Sequence, residues 1–145
     1  NLHDGGALMA FRMRDRQGGE RWAGATLRTS PGPRPTPPAT SGTEKSFRPE
    51  SNEQQTFGPE TVEWTPLKTW RSPHTGVTYP VQWRVQVGDR RYRVEPLLLD
   101  AELDSRPTTG ILYWEGPIRL VDDATGKEAG RGYLELTGYG GKVDL

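Results

Sequence analysis

Apolar and polar residues alternate along most of this chain, at the period of two that sets successive side chains on opposite faces of a strand. The alternation is clearest where Tyr79, Val81, Trp83, Val85 and Val87 interleave with Gln82, Arg84 and Gln86. Gly88-Asp89 turns the chain, and residues 91–99 return with Tyr92, Val94 and Leu98 inward and Arg91, Arg93 and Glu95 outward. The two runs predict an antiparallel hairpin. Residues 7–14 read as a half-buried strand with Ala7, Met9, Phe11 and Met13 on one face and Arg12 and Arg14 on the other. Residues 21–28, anchored by Trp22, follow after a Gly18-Gly19 turn. Val62 and Trp64 open a further strand, with Leu67 and Trp70 beyond Pro66. Residues 110–121 and 131–138 complete the set. The first of these should bend at Gly116-Pro117, because proline inside a strand needs an edge or a bulge. Residues 100–109 form a polar connection in which Ala101–Asp104 reads as one helical turn.

About seven strands joined by short turns, with no helix of three turns, predict an all-β chain: an up-and-down barrel or a two-sheet sandwich. The turn His3-Asp4-Gly5-Gly6 has hairpin chemistry but only Asn1 and Leu2 before it, so one N-terminal strand is expected to be lacking. Residues 30–54 hold six prolines, many Ser, Thr, Glu and Gln, and a single large apolar residue, Phe47. Such a stretch buries too little surface to offset its ordering entropy and reads as a disordered, Pro-rich insertion. The whole of 1–145 then reads as one domain carrying that insertion.

Composition narrows the function. The chain has 19 basic and 19 acidic residues and no net charge, which argues against a general nucleic-acid or membrane-surface binder. No apolar run approaches the length of a transmembrane segment. There are no cysteines, so thiol catalysis, thiolate metal sites and disulfides are excluded. His3 and His74 fall in predicted turns without carboxylates at ligand spacing; neither a metal nor a cofactor is expected. Ser72 stands two residues from His74, but no Gly-x-Ser-x-Gly elbow accompanies it.

Two strands repeat one pattern, Tyr113-x-Glu115 and Tyr133-x-Glu135. Each sets a tyrosine and a glutamate on one face. As hairpin neighbours the two glutamates would lie close together, and paired carboxylates raise one pKa and make a general acid available. The opposite face carries Leu112, Trp114, Leu134 and Leu136, which are the better core residues. Two readings stand: the Tyr-x-Glu face is solvated, or it lines a ligand cavity. Five tryptophans and five tyrosines suit either an aromatic core or the wall of an apolar pocket.

Four motifs in order carry a family resemblance. They are Trp70-x-Ser72-Pro73-x-Thr75-Gly76-x-x-Tyr79-Pro80-x-x-Trp83, Glu102-Leu103-Asp104, Tyr113-Trp114-Glu115-Gly116, and Gly130-Arg131-Gly132-Tyr133-Leu134-Glu135-Leu136-Thr137-Gly138-Tyr139. Together they resemble the carotenoid 1,2-hydratase (hydroxyneurosporene synthase) family, also called the AttH-type lipocalin-like family. The match runs over 57–141, more loosely over 5–28, and leaves 30–54 outside the pattern. The resemblance implies a lipocalin-like up-and-down antiparallel β-barrel. Members carry two barrels in tandem and are often bacterial and exported. This chain would therefore be the C-terminal barrel, with the N-terminal barrel of the same protein as partner and a periplasmic or secreted location. Relatives include hydratases that add water across C=C bonds, cyclases, and proteins labelled secreted hydrolases. The implied activity is binding of a hydrophobic small molecule and its acid-catalysed hydration. Glu115 and Glu135 would be the catalytic carboxylates, and Trp70, Tyr79, Trp83, Tyr113, Trp114 and Tyr133 the ligand-binding aromatics. The alternative is a non-catalytic lipid or polyene carrier.

Overall fold

The computed structural model describes residues 1–15, 17, 19–30 and 53–141. The insertion expected at 30–54 lies outside the described residues except at its ends, and Gln54 already belongs to a strand. Every strand pair is antiparallel. β1 (Ala7–Arg14), β2 (Glu20–Arg28) and β3 (Gln54–Phe57) form one sheet in that order. The second sheet holds β4 (Val62–Arg71), β5 (Thr78–Val87), β6 (Arg90–Pro96), β7 (Glu102–Ser105), β8 (Ile111–Asp122) and β9 (Glu128–Thr137). A 3-10 turn at Pro59–Thr61 carries the chain between the sheets. No helix among the described residues is long and apolar enough to cross a membrane.

The all-β, lipocalin-like expectation holds, with nine strands among the described residues rather than about seven. The two additions, β3 and β7, are four residues each and polar enough to show no alternation. β7 forms because β8 offers it an edge, with Glu102 opposite Trp114 and Ser105 opposite Ile111. Tertiary pairing here overrides a helical reading of 101–104. The helical turn, α1 (Arg106–Thr109), comes later and closes on Gly110 at φ 77.

β8 is the central strand of its sheet. β9 pairs along one edge; β6 and β7 share the other, and the chain between them bulges out over residues 97–101. The expected bend at Gly116-Pro117 is not there: β8 pairs with β9 in register through both residues and shifts only between Leu120 and Val121, while Pro117 faces the bulge of 97–101. Leu97 donates its amide to the Pro117 carbonyl at 2.9 Å, and Glu115 donates to Ala101 at 3.0 Å. The proline nitrogen faces the same side as its carbonyl, where the bulge demands no donor. Leu98, expected inward, instead sits exposed on the bulge with Leu97 and Leu99, because β6 ends at Pro96.

The sheets face each other across a core built on Tyr79, Val81, Val85, Val87 and Trp114, all 2% exposed or less. Residues Asn1–His3 join them on one side. Leu2 bridges Gly130, the Asn1 amino group donates to the Arg131 carbonyl at 2.8 Å, and Arg131 donates back to Asn1 at 3.0 Å. A side chain at 130 would collide with the Asn1 carbonyl, so glycine is required there.

β1 is turned over relative to its hydrophobic pattern. Leu8 and Ala10 pack on the core, whereas Met9 and Met13 are more than half exposed. The register sets Ala10 opposite Ala25 and Arg12 opposite Ala23, both buried alanines, so Arg12 shares the inward face. Phe11 finds its partner outside, tilted on Trp22 with ring centroids 4.8 Å apart. Small residues on β2 leave room for long side chains on β1, which volume, rather than hydropathy, decides.

Candidate functional site

Glu102 is the carboxylate that the fold turns inward. Cross-strand partners share a face, and its partner Trp114 is fully buried. A carboxylate in such a wall costs free energy unless hydrogen-bonded. Three hydroxyls donate to it: Ser72 Oγ at 2.5 Å, Thr75 Oγ1 at 2.7 Å and Tyr79 Oη at 2.8 Å. Ser72 and Thr75 come from the turn between β4 and β5, which the sequence builds from Ser-Pro and Thr-Gly. Ser72 Oγ also accepts the amides of His74 and Thr75, at 3.1 and 3.2 Å, so one buried hydroxyl both closes the turn and holds the carboxylate.

Burial pushes the Glu102 carboxyl up, but the hydrogen bonds from Ser72, Thr75 and Tyr79 pull it down further, and it rests below the ordinary glutamate range. Burial, then the bond to Glu102, pushes the Tyr79 phenol well above its usual value. Near neutral pH the pair is therefore an ionised acceptor and a protonated donor. His74 is engaged elsewhere, its Nε2 3.0 Å from Asp100 Oδ2, and is not the base of a serine nucleophile.

Above Glu102 runs an aromatic column. Trp70 stacks on Tyr79 at 6.3 Å, Tyr79 meets Tyr139 at 5.9 Å, and the Arg14 guanidinium lies 4.0 Å from the Tyr139 ring centroid. Burial raises the Tyr139 phenol, while Arg14 and Arg12 draw it the other way. Deeper in, Trp64 and Trp83 pack edge to face at 5.9 Å. Neither of their buried indole N–H groups has a hydrogen-bond partner among the described residues. A cavity of about 120 Å3 lies beside Trp64, bounded by Leu8, Ala10, Val94, Ile118 and Leu134 among others. A larger, open groove of about 610 Å3 lies outside, between Arg90, Arg91, Asp122 and Asp123; its charged walls make it a different surface.

The Tyr-x-Glu face points away from this interior. Leu112, Trp114, Ile118 and Leu136 are buried, which leaves Tyr113, Glu115, Tyr133 and Glu135 on the outer face. There Glu115 and Glu135 are direct cross-strand partners. Tyr133, 65% exposed, donates its hydroxyl to the Glu115 carbonyl at 3.4 Å. The predicted site residues thus form two groups. Trp70, Tyr79, Trp83 and Trp114 line the interior; Tyr113, Glu115 and Glu135 lie on the far side of the β8–β9 wall, and the exposed Tyr133 also borders the cavity at its rim. Glu102, Ser72, Thr75 and Tyr139 stand inside recognisable motifs, yet no local pattern ties a glutamate to hydroxyls some 23 to 30 positions away. The inward Arg12 had no signal at all, since alternation assigned it to the other face.

A family model described as AttH-like matches residues 1–139. A search of curated proteins finds no match. The crystal structure of a candidate AttH from Nitrosomonas europaea is 40% identical, with a TM-score of 0.77, over 96% of this chain and 37% of that one. Kievitone hydratase from Nectria haematococca is 20% identical, with a TM-score of 0.62, over 97% of this chain and 38% of the hydratase; at that identity the likeness is one of fold. The chain therefore spans less than two fifths of the length of either protein.

Proposed function

The chain belongs to the AttH-like family, and on that premise we propose that it forms the ligand chamber of a hydratase-related protein, taking a hydrophobic small molecule between its two sheets. The observation that carries this reading is the largely apolar cavity beside Trp64, between β1 and β9; the aromatic column that ends in Arg14 and Tyr139 packs in the same core. An apolar body would lie over Leu8, Ala10 and Ile118, with its oxygen-bearing end toward the arginine and the phenol. Glu102 would hold the Tyr79 ring in place rather than donate a proton.

For the chemistry, the hydratase among the fold neighbours supports water addition to a C=C bond. Hydration needs an acid, and an ionised Glu102 is poorly suited to that task. The cross-strand pair Glu115 and Glu135 favours a second reading, in which the reacting atoms meet the outer face of β8 and β9 and the rest of the longer protein covers them. Tyr113 and Tyr133 would flank the acid there. That remainder would include the N-terminal barrel, and an exported location belongs to the same proposal.

Titration with cis-parinaric acid tests the chamber, following quenching of tryptophan emission as the polyene accepts energy from Trp64 and Trp83. Saturable quenching is expected; none at any concentration below the probe's own aggregation limit overturns the chamber. For the chemistry, the longer protein is incubated with acyclic polyenes and products are weighed for the gain of one water. A product formed equally fast by Glu115→Gln removes the outer-face acid.

A further inference from the structure

A buried indole N–H ordinarily finds an acceptor. Trp114 follows the rule and donates to the Leu99 carbonyl at 2.7 Å. Trp64 and Trp83 do not: the Nε1 atoms of both are shut off from solvent and meet no acceptor among the described residues. Such a donor carries the full cost of its lost hydration. The two rings pack edge to face with centroids 5.9 Å apart. In that arrangement at most one N–H can point at the face of the other ring, so the pair cannot satisfy both donors internally. Position separates the two. Trp64 on β4 stands opposite buried Val85 on β5 and shares its face. Trp64 and Val85 both line the cavity of about 120 Å3, and Trp83 stands outside its lining. The wall is otherwise largely aliphatic; its polar residues Asn1, Arg131 and Tyr133 are all exposed and belong to the rim. An ordered water needs several polar partners, and beside the aliphatic wall it would have only the indole. A ligand brings its acceptor with it.

We infer that Trp64 determines specificity in the chamber, its Nε1–H donating to an acceptor oxygen on the part of the ligand that enters the cavity. This rests on the chamber reading and narrows it. A dry cavity of about 150 Å3 takes one benzene-sized ring, so the space beside Trp64 takes a single small ring or a short branched unit. That unit carries an oxygen directed at the indole. A hydroxyl would bring a proton of its own, which the aliphatic wall leaves unmet, so an oxygen that only accepts, a ketone or an ether, fits better. The ligand class is therefore an oxygenated compound with a ketone or ether set within its apolar body, distinct from the polar end that the proposed function turns toward Arg14. A plain hydrocarbon polyene of the same shape leaves the donor unmet and binds more weakly, because a site built to hydrogen-bond its ligand rejects the analogue that lacks the partner atom.

Cyclohexanone and methylenecyclohexane match in shape and differ in whether the exocyclic atom accepts a hydrogen bond. Each is titrated into the isotope-labelled chain and followed by NMR. The methyl groups of Leu8, Ala10 and Ile118 report filling of the cavity, and the Trp64 indole proton reports hydrogen bonding. Both compounds are expected to shift the methyl signals, and only the ketone to move the Trp64 indole proton downfield. In Trp64→Phe the ratio of ketone to alkene affinity is expected to fall by about fivefold or more. The wild-type indole signal gives its answer whether or not that variant folds. Methyl shifts from both compounds without a downfield move at Trp64 overturn the acceptor and leave the chamber standing, as does an affinity ratio unchanged in Trp64→Phe. A downfield move confined to the Trp83 indole overturns the assignment to Trp64. If neither compound shifts the methyl signals up to its solubility limit, the chamber itself fails and this inference with it.

Discussion

Tyr79 and Glu102, 23 positions apart, meet inside the molecule with the phenol donating to the carboxylate at 2.8 Å. The contact ties β5 to β7 and, through Ser72 and Thr75, ties the β4–β5 turn to both. Replacing Glu102 by glutamine should cost about 2 kcal/mol, the worth of hydrogen bonds to a charged acceptor. The pH dependence has a definite sign. A carboxyl held below its unfolded value adds stability that is present above that value and fades as pH falls through the folded one. Wild-type stability should therefore drop below the ordinary glutamate range, and Glu102→Gln should show a shallower drop there. Urea melts of both proteins across acid pH compare the slopes; identical slopes would contradict the assignment.

Trp114 is wholly buried and donates its indole N–H to the Leu99 carbonyl at 2.7 Å, pinning the bulge to β8. Trp114→Phe keeps most of the packing but strands that carbonyl, so a loss of about 1–3 kcal/mol is expected. Trp114→Ala should cost about 3–5 kcal/mol. If phenylalanine is tolerated without loss in chemical denaturation, the bulge is not held by this bond.

Ala10 borders the cavity and opposes buried Ala25. Ala10→Leu should fill the space and weaken binding of cis-parinaric acid about tenfold, close to the worth of about two buried methylene groups. The far-UV spectrum should stay the same. Arg14→Gln, on the exposed rim, should weaken the acid more than its methyl ester. Equal losses for both would detach the ligand's polar end from Arg14.

Glu115 and Glu135 oppose each other directly on the outer face. Like charges in that arrangement repel, and an opposite pair stabilises, so Glu115→Lys should raise stability by about 0.2–1 kcal/mol. Thermal melts at low and high salt read this directly, with the gain shrinking as salt screens it. A destabilised Glu115→Lys would mean that the carboxylate has a structural partner.

The strongest alternation in the sequence, that of β5, became a strand with the faces expected, while β8 and β9 became strands whose facing the sequence had left open, with the leucine face taking the interior. Each of these has one apolar face heavy enough to outvote everything else. β1 went the other way because Met9 and Met13 are more apolar than Arg12 and Arg14, while the interior at that end prefers length and an aromatic partner to hydropathy. Strands such as β7, with Glu102 and Asp104, exist only because a neighbour pairs with them. The aromatic half of the site could be read from Trp70, Tyr79, Trp83 and Trp114. Its polar half could not, since a glutamate that answers hydroxyls on another hairpin leaves no local periodicity.

The hydrogen bond from the Asn1 amino group to Arg131 closes a loop of 130 positions. Closure of so long a loop costs entropy before any contact rewards it, and chains dominated by such contacts fold slowly. On a ribosome the β1–β3 sheet would emerge first and wait, unattached on this side, until residue 131 cleared the exit. The joining of the two sheets is thus a late event in the life of the nascent chain, and the interval before it is when the free edge of β1 is open to any neighbouring polypeptide.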